Sequence, residues 1–366
     1  MQQVDIGALR DSYQAALKHS NAITDVISTD QFSAGYDERP DWAIGPFSRD
    51  ESMTFELTGQ WDDPTGIDWT SDSIFNPTMI ARGDELHLFY RASPRKESTA
   101  SRIGHAVHRP GIGWTDDPAN PVIYPTLENE ALGCEDPKIY TVDGRYVMFY
   151  NAIRSIAGSP HPDTMPSPDF PFGDIGCDIM VAVSDDLVSW EKRGLVVPYD
   201  VSKLWAKGAV IPRNGAGEAV KIGGEYLMFL SEGCGGVPTI GRSSDLLEWR
   251  FERQPYLDLG ELGGSLYEVA CAVVGAHAED DLVLDFFYSD ADGQFAAAQA
   301  HYSTDAPFTQ LALNHGGSLA WGGLLQIDGD WVFAQGWDAP KHTREMYLYR
   351  SVPTDRSVPT EGTATA

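Results

Sequence analysis

FNPTMIARGDELHLFYRA, residues 75–92, decides the fold. It has the pattern of a strand, a Gly-containing turn and a second strand dense in aromatic residues. The same phrase returns as CEDPKIYTVDGRYVMFYNA at residues 134–152. Looser copies begin at Gly217, Tyr267 and Trp321, as GEAVKIGGEYLMFLSEG, YEVACAVVGAHAEDDLVLDFFYSD and WGGLLQIDGDWVFAQGWD. Five copies of one hairpin predict five similar structural units.

A second repeated phrase follows some of these hairpins. SDDLVSW ends at Trp190 and SSDLLEW ends at Trp249, and each is typical of an outer hairpin with a Ser/Asp-rich turn. Four-stranded units repeating every ~50 residues predict an all-β fold, a five-bladed β-propeller. A β-sandwich is the alternative, but it does not explain similar phrases at blade-sized intervals.

The propeller is expected to span residues 71–352. Residues 1–70 are expected to form a short N-terminal helix and lead-in loops packed on the propeller, and residues 353–366 a polar, disordered tail. The helix is predicted over 5–20 from apolar residues at helical spacing. These residues are Ile6, Leu9, Tyr13 and Leu17.

The charge of the chain excludes several kinds of partner. Lys plus Arg total 26 against 54 Asp plus Glu, which gives a formal net charge of −28. Nucleic acid and anionic membrane surfaces need a basic face, so neither is expected as a partner. An acidic, Lys-poor surface stays hydrated in high salt, which favours a salt-adapted source over an ordinary acidic cytosolic protein.

Targeting and redox signals are weak. The first twenty residues contain no apolar h-region and no later run is long enough to span a bilayer, so we expect a cytoplasmic protein. The four cysteines form no CxxC pair, which argues against a zinc site, and no other metal or cofactor is required. The N-terminal helix would be compatible with a homo-oligomer.

Propeller geometry brings distant polar residues together. The first strand of each blade lines the central axis, so polar residues on those strands should share one pocket. The axis candidates are Asn76, Asp136, Lys138, Lys207, Glu218 and Glu268, and Arg91 follows the second strand of the first blade.

Three carboxylates are the catalytic candidates. Asp136 precedes a proline at the start of an inner strand, and Glu218 and Glu268 are expected to open the inner strands of the third and fourth blades. A buried carboxylate is costly unless it is paired or used in catalysis, so an ordinary turn or ion pair is the alternative for each. Glycoside cleavage needs one protonated and one ionised carboxyl group, roughly 6.5–9.5 Å apart for inversion and about 5–5.5 Å for retention.

The nearby cations have two possible roles. Arg91, Lys138 and Lys207, together with Asn76, could bind phosphate or another part of the substrate. They could equally lower the pKa values of the neighbouring carboxylates by pairing.

The phrases FNPTMI, LHLFYRA, GCEDPKI, VAVSDDLVSW and KGAVIP resemble glycoside hydrolase family 130, over roughly residues 70–250. The resemblance implies a five-bladed propeller that acts on β-mannosides as a phosphorylase or hydrolase. It matches Asp136 to the family's catalytic Asp, and Arg91 and Lys207 to residues that bind phosphate or sugar. The chain departs from the family pattern at Lys138, where the family usually has Arg.

These observations support three functional hypotheses. The first is a glycoside hydrolase acting on an oligosaccharide or glycoside, with Asp136 as the acid and Glu268 or Glu218 as the base. The second is a phosphorylase that uses inorganic phosphate and releases a sugar 1-phosphate. The third is a non-catalytic carbohydrate-binding propeller.

Overall fold

A computed structural model confirms the predicted five-bladed β-propeller. The structure describes residues 27–29, 39–59, 66–95, 98–156, 175–340 and 342–352, together with Gln3, Phe32, Tyr36 and Trp61. The helix predicted over 5–20 and the tail from residue 353 lie outside the described residues. No helix in the described part of the chain is long and apolar enough to cross a membrane.

The segment before the first blade contains two short strands, β1 (Phe47–Arg49) and β2 (Phe55–Glu56), with a 3-10 turn at Glu51–Met53 between them. The sequence predicted only loops here. Strands this short carry no periodic signal, because their pairing partner lies at the other end of the chain.

The first two blades are regular four-stranded antiparallel sheets. Blade 1 contains β3 (Ser73–Arg82), β4 (Glu85–Ser93), β5 (Arg102–Arg109) and β6 (Gly113–Asp116). After a 3-10 turn at Glu128–Glu130, blade 2 contains β7 (Gly133–Val142), β8 (Arg145–Ser155), β9 (Ile175–Ser184) and β10 (Glu191–Leu195).

Blade 3 has an interrupted inner strand. A four-residue helix, α1 (Tyr199–Ser202), leads into β11 (Ala206–Lys207), and the innermost pairing is divided between β11 and β12 (Lys221–Ile222). The remaining strands are β13 (Glu225–Leu230), β14 (Glu232–Gly233), β15 (Thr239–Ser243) and β16 (Arg250–Arg253). Pairing of β11 with β14 and a bridge between Val210 and Phe229 make the 206–210 stretch the axial edge of the blade.

Blade 4 is regular again. It follows a 3-10 turn at Gly260–Leu262 and contains β17 (Ser265–Val274), β18 (Asp281–Ser289), β19 (Phe295–Ser303) and β20 (Ala312–Asn314).

Blade 5 joins the two ends of the described chain. It contains β21 (Leu325–Ile327), β22 (Asp330–Gln335) and β23 (Glu345–Ser351). Its outer edge is supplied by the N-terminal strands, since both β1 and β2 pair with β23. The ring is therefore closed by hydrogen bonds between segments about 300 residues apart in sequence.

Turn chemistry explains the inner hairpins. Asp143–Gly144, Gly223–Gly224 and Asp328–Gly329 each form a two-residue connection with positive φ at both positions. This geometry matches the twist of paired strands and needs residues that tolerate the left-handed region. These dipeptides therefore fix the register of the hairpins in blades 2, 3 and 5.

The outer turns are built identically in blades 2 and 3. Ser184 and Ser243 accept the backbone N–H three residues later, and the Trp190 and Trp249 indoles donate to the backbone within the same turn. Each Trp contacts a Phe of the preceding blade, with ring centroids 5.6 Å and 6.1 Å apart. These contacts pack each Trp between two neighbouring blades. All four cysteines are buried and unpaired.

Candidate active site

Two bulged strands aim polar side chains at the centre of the ring. Asn76 in β3 and Asp136 in β7 each precede a proline, and the strand register shifts at both positions. Their φ values are +45° and +52°, in the region that only Asn, Asp and Gly adopt readily. A bulge redirects a side chain away from the regular alternation, and such backbone strain is often associated with function.

Asp136 lies at the centre of the site and accepts four hydrogen bonds or ion pairs. Its Oδ1 accepts from Asn76 Nδ2 at 2.7 Å and from Arg91 Nη1 at 3.1 Å. Its Oδ2 accepts from Asn151 Nδ2 at 3.2 Å and lies 2.8 Å from Lys207 Nζ. Burial alone would raise the pKa of Asp136, but the charges of Lys207 and Arg91 outweigh it and hold the pKa well below its ordinary value. Asp136 is therefore ionised in the unliganded protein.

Arg91 occupies the end of the second strand of blade 1 and is fully engaged. Besides Asp136, it binds Glu135 Oε2 at 2.5 Å, the Ser101 hydroxyl at 2.8 Å and the Ser98 carbonyl at 3.0 Å. Asn151 occupies the matching place on the second strand of blade 2. Arg91 is paired with Phe75, the residue before Asn76, and Asn151 is paired in the same way with Glu135, the residue before Asp136.

Lys207 of blade 3 contacts two acidic side chains of blade 2. Its Nζ lies 3.2 Å from Glu135 Oε1, in addition to its contact with Asp136. Burial would lower the pKa of Lys207, but Asp136 and Glu135 raise it well above its ordinary value. Lys207 is therefore a charged lysine enclosed by carboxylates.

Glu232 is a candidate that the sequence analysis missed. It lies in β14 directly opposite Lys207 in β11, and the Trp205 indole donates to it at 3.3 Å. Burial outweighs the attraction of Lys207 and raises the pKa of Glu232 to about 8. The predicted site residues come mainly from the strands next to the axis, whereas Glu232 extends the second strand of its blade.

Glu268 reaches the same cluster from blade 4. Its Oε2 accepts from the Trp321 indole at 2.8 Å, and its pKa is raised by burial against the attraction of Lys138 and Lys207. Gly208 allows this approach, because a Cβ at Gly208 would lie only 2.7 Å from Glu268 Oε1.

Lys138 also reaches the centre, but as a bridge between blades. Its Nζ donates to the carbonyl of Ala270 at 2.8 Å and to the carbonyl of Trp321, and lies 3.8 Å from Glu268 Oε1. It is 4 % exposed. These bonds tie the inner strand of blade 2 to blades 4 and 5, which does not favour the substrate contact predicted for Lys138.

Glu218 was predicted to open the inner strand of blade 3, and this placement is wrong. It is exposed on the tight turn 214–218, where its carboxylate accepts from the Asn214 side chain at 2.8 Å. Its backbone lies beside Thr141, five residues beyond Asp136 on β7 and thus roughly 17 Å along that strand. Lys207 takes the place on the inner strand that was assigned to Glu218.

The site therefore brings together six of the seven predicted residues, with contributions from all five blades. Among the residues described by the structure, no group of three or more His, Cys, Asp or Glu side chains is arranged to hold a metal ion. The arrangement offers one ionised carboxylate, Asp136, and three carboxyl groups whose pKa values are raised by burial, namely Glu135, Glu232 and Glu268.

Comparisons with known proteins agree with this architecture. The model of glycoside hydrolase family 130, described as β-1,4-mannooligosaccharide phosphorylase, matches residues 61–159. A β-1,2-mannobiose phosphorylase of Thermoanaerobacter sp. (strain X514) is 29 % identical over 173 residues, covering 44 % of this chain and 48 % of the relative. A 1,2-β-oligomannan phosphorylase of the same organism is 30 % identical over 202 residues, covering 52 % of this chain and 55 % of the relative.

The chain thus matches about half the length of these curated relatives. A solved structure from work on family 130, describing hydrolases that target β-1,2 mannosidic linkages in Candida mannan, superposes with a TM-score of 0.63. It is 20 % identical and covers 86 % of this chain and 98 % of its own, so this likeness concerns the fold.

Proposed function

We propose that this chain, a family 130-like propeller, is an enzyme that cleaves β-mannosidic bonds with water as the acceptor. The sugar class is supported by the family model and the mannoside-acting relatives. The observation that carries the hydrolytic part is the position of Lys207, which contacts the ionised Asp136 and lies directly across the β11–β14 pairing from Glu232, whose pKa is raised.

Direct displacement by water at a glycosidic bond needs a proton donor and a proton acceptor at the same time. A pair of carboxyl groups whose environments push their pKa values apart can supply both. Glu232, with a pKa of about 8, holds its proton at neutral pH, and Glu268 lies close enough to influence it. We therefore assign the role of proton donor to Glu232 with Glu268, and the role of proton acceptor to Asp136. This assignment reverses the roles expected from the sequence.

The partners of the cations in the site support water rather than phosphate as the acceptor of the sugar. Within the described site, Glu135, Asp136, Glu232 and Glu268 face three cations. Arg91 and Lys207 are paired with carboxylates, and Lys138 donates to backbone carbonyls. An incoming phosphate dianion would have to compete with Glu135 and Asp136 for Arg91 and Lys207.

Phosphorolysis is the second candidate, and the two curated relatives favour it, since both are phosphorylases. In that case phosphate would have to displace a carboxylate from Arg91 or Lys207. The two reactions differ in their products, because only phosphorolysis yields a sugar 1-phosphate.

The deciding experiment incubates the purified protein with β-1,2- and β-1,4-mannobiose, with and without inorganic phosphate. We expect free mannose at the same rate in both conditions. Mannose 1-phosphate that forms only with phosphate would establish the second candidate. The Asp136→Asn variant should fold and lose turnover, and full activity in this variant would remove Asp136 from the mechanism.

The assignment of the donor and acceptor has its own test. An aryl mannoside with an activated phenol as leaving group needs little proton donation. Glu232→Gln should therefore retain more activity on the aryl substrate than on mannobiose, whereas Asp136→Asn should lose both. The opposite pattern would return the donor role to Asp136.

A further inference from the structure

A chain of two hydrogen bonds runs from blade 5 through blade 1 into the site. The Trp337 indole donates to Asn76 Oδ1 at 2.5 Å, and Asn76 Nδ2 donates to Asp136 Oδ1 at 2.7 Å. An indole N–H is a donor only, so it determines which end of the amide faces it. The Trp337 contact therefore requires that Asn76 presents its N–H group to Asp136.

Trp337 and Asn76, which donate these two hydrogen bonds, are both held rigidly. The Trp337 backbone N–H donates to Gln335 Oε1 at 2.6 Å, and its ring packs edge-on against Phe75 with centroids 5.6 Å apart. Trp337 is 5 % exposed. Asn76 is also 5 % exposed and has a φ of +45° immediately before Pro77. Little backbone adjustment is available to restore a lost contact.

We propose that Trp337 is a positioning residue, which orients the Asn76 amide and through it the Asp136 carboxylate. This inference rests on the proposed function, in which Asp136 acts on the substrate. With the amide reversed, the Asn76 oxygen would face the Asp136 oxygen, and two acceptors would oppose each other. The indole contact disfavours this arrangement, so the closing blade of the ring supports the reactive carboxylate.

Replacing Trp337 by Phe keeps an aromatic ring and removes the N–H group. For Trp337→Phe we expect kcat to fall roughly tenfold with KM nearly unchanged, the size expected for a hydrogen bond that supports a charged group. We also expect the fall of activity on the acid side of the pH profile to begin at a higher pH than in the unmodified protein, because the Asp136 carboxylate loses one fixed donor.

Trp249→Phe is the matched control. Its indole donates to the Leu246 carbonyl at 2.9 Å within an outer turn of blade 3, away from the site. This variant should keep the kcat and the pH profile of the unmodified protein. If Trp337→Phe has the same pH profile as Trp249→Phe, Trp337 only packs and the proposal is overturned.

A second measurement needs no substrate. In protein with ¹⁵N-labelled tryptophan, the Trp337 indole signal is identified by its loss in Trp337→Phe. In Asp136→Asn this signal should shift while the Trp249 signal stays in place, because only Trp337 is connected to Asp136 through Asn76. An unmoved Trp337 signal would contradict the proposal whether or not the protein cleaves mannosides. A shifted signal in a protein inactive on mannosides would disprove the proposed function alone.

Discussion

Lys207 Nζ lies 2.8 Å from Asp136 Oδ2, at a place where blades 2 and 3 meet. Lys207 also faces Glu135 and Glu232, so its charge compensates several carboxylates at once. Removal of one partner from a buried ion pair leaves the other without compensation.

Lys207→Met should therefore lower the free energy of unfolding by about 3 kcal/mol. The measurement is urea denaturation at pH 7. Lys221→Met, at an exposed strand end, is the control and should change little. Adding Asp136→Asn to Lys207→Met should recover part of the loss, and strictly additive effects would show that the two side chains do not interact.

Glu232 and Glu218 provide a matched pair of substitutions. Glu232→Gln should reduce kcat on mannobiose by about a hundredfold or more, because it removes a buried acid from the site. Glu218→Gln should keep full activity, because that side chain is exposed on a turn. Equal activities of the two variants would exclude Glu232 from catalysis.

Glu232 should also make stability depend on pH. Its folded pKa of about 8 lies above the ordinary value of 4.5, because burial penalises the charged form. Between these values the folded protein holds a proton that the unfolded chain releases, so stability should fall as the pH rises from about 4.5 through about 8. Melting temperatures measured from pH 5 to pH 9 should decline less steeply in Glu232→Gln.

His87, a buried histidine in blade 1, should make stability change with pH in the opposite direction. His87 Nδ1 lies 2.9 Å from His105 Nε2, and His105 Nδ1 lies 2.7 Å from Asp117 Oδ2. Burial, followed by the charge of His105, lowers the pKa of His87 from 6.5 to about 4, although the nearby Glu85 opposes this shift and Arg82 adds to it.

As the pH falls, His87 is protonated in the unfolded chain before it is protonated in the folded protein. The contribution of His87 to stability is therefore complete above pH 6.5. It is lost as the pH falls from about 6.5 to about 4. Blade 2 has Val147 at the position equivalent to His87, which makes His87→Val a compatible replacement. Melting temperatures of His87→Val between pH 4 and pH 7 should vary less than those of the unmodified protein. An unchanged slope would rule out His87 as the titrating group.

The sequence predicted the architecture because the hairpin phrases carry their own turn chemistry and strand pattern. It also located Asn76 and Asp136, since a polar residue before proline at the start of an inner strand is visible without knowledge of the register. Glu232 was missed because its role depends on which residue of another strand lies opposite it, namely Lys207.

The error at Glu218 has a similar cause. The phrase beginning at Gly217 resembles a complete inner strand, but only Lys221–Ile222 of it pairs with β13. The rest of the inner edge comes from residues 206–210, before the turn at 214–218 that interrupts the strand.

Ring closure in blade 5 has a consequence for biosynthesis. β1 and β2 are synthesised before the first blade, yet their partner β23 belongs to the fifth, so these two strands wait unpaired until translation of the propeller is almost complete. Trp337, which contacts Asn76 of the first blade, is also made late. A nascent chain that already carries Asp136, Lys207 and Glu268 still lacks the support of blade 5, so the site is complete only once that blade has been made.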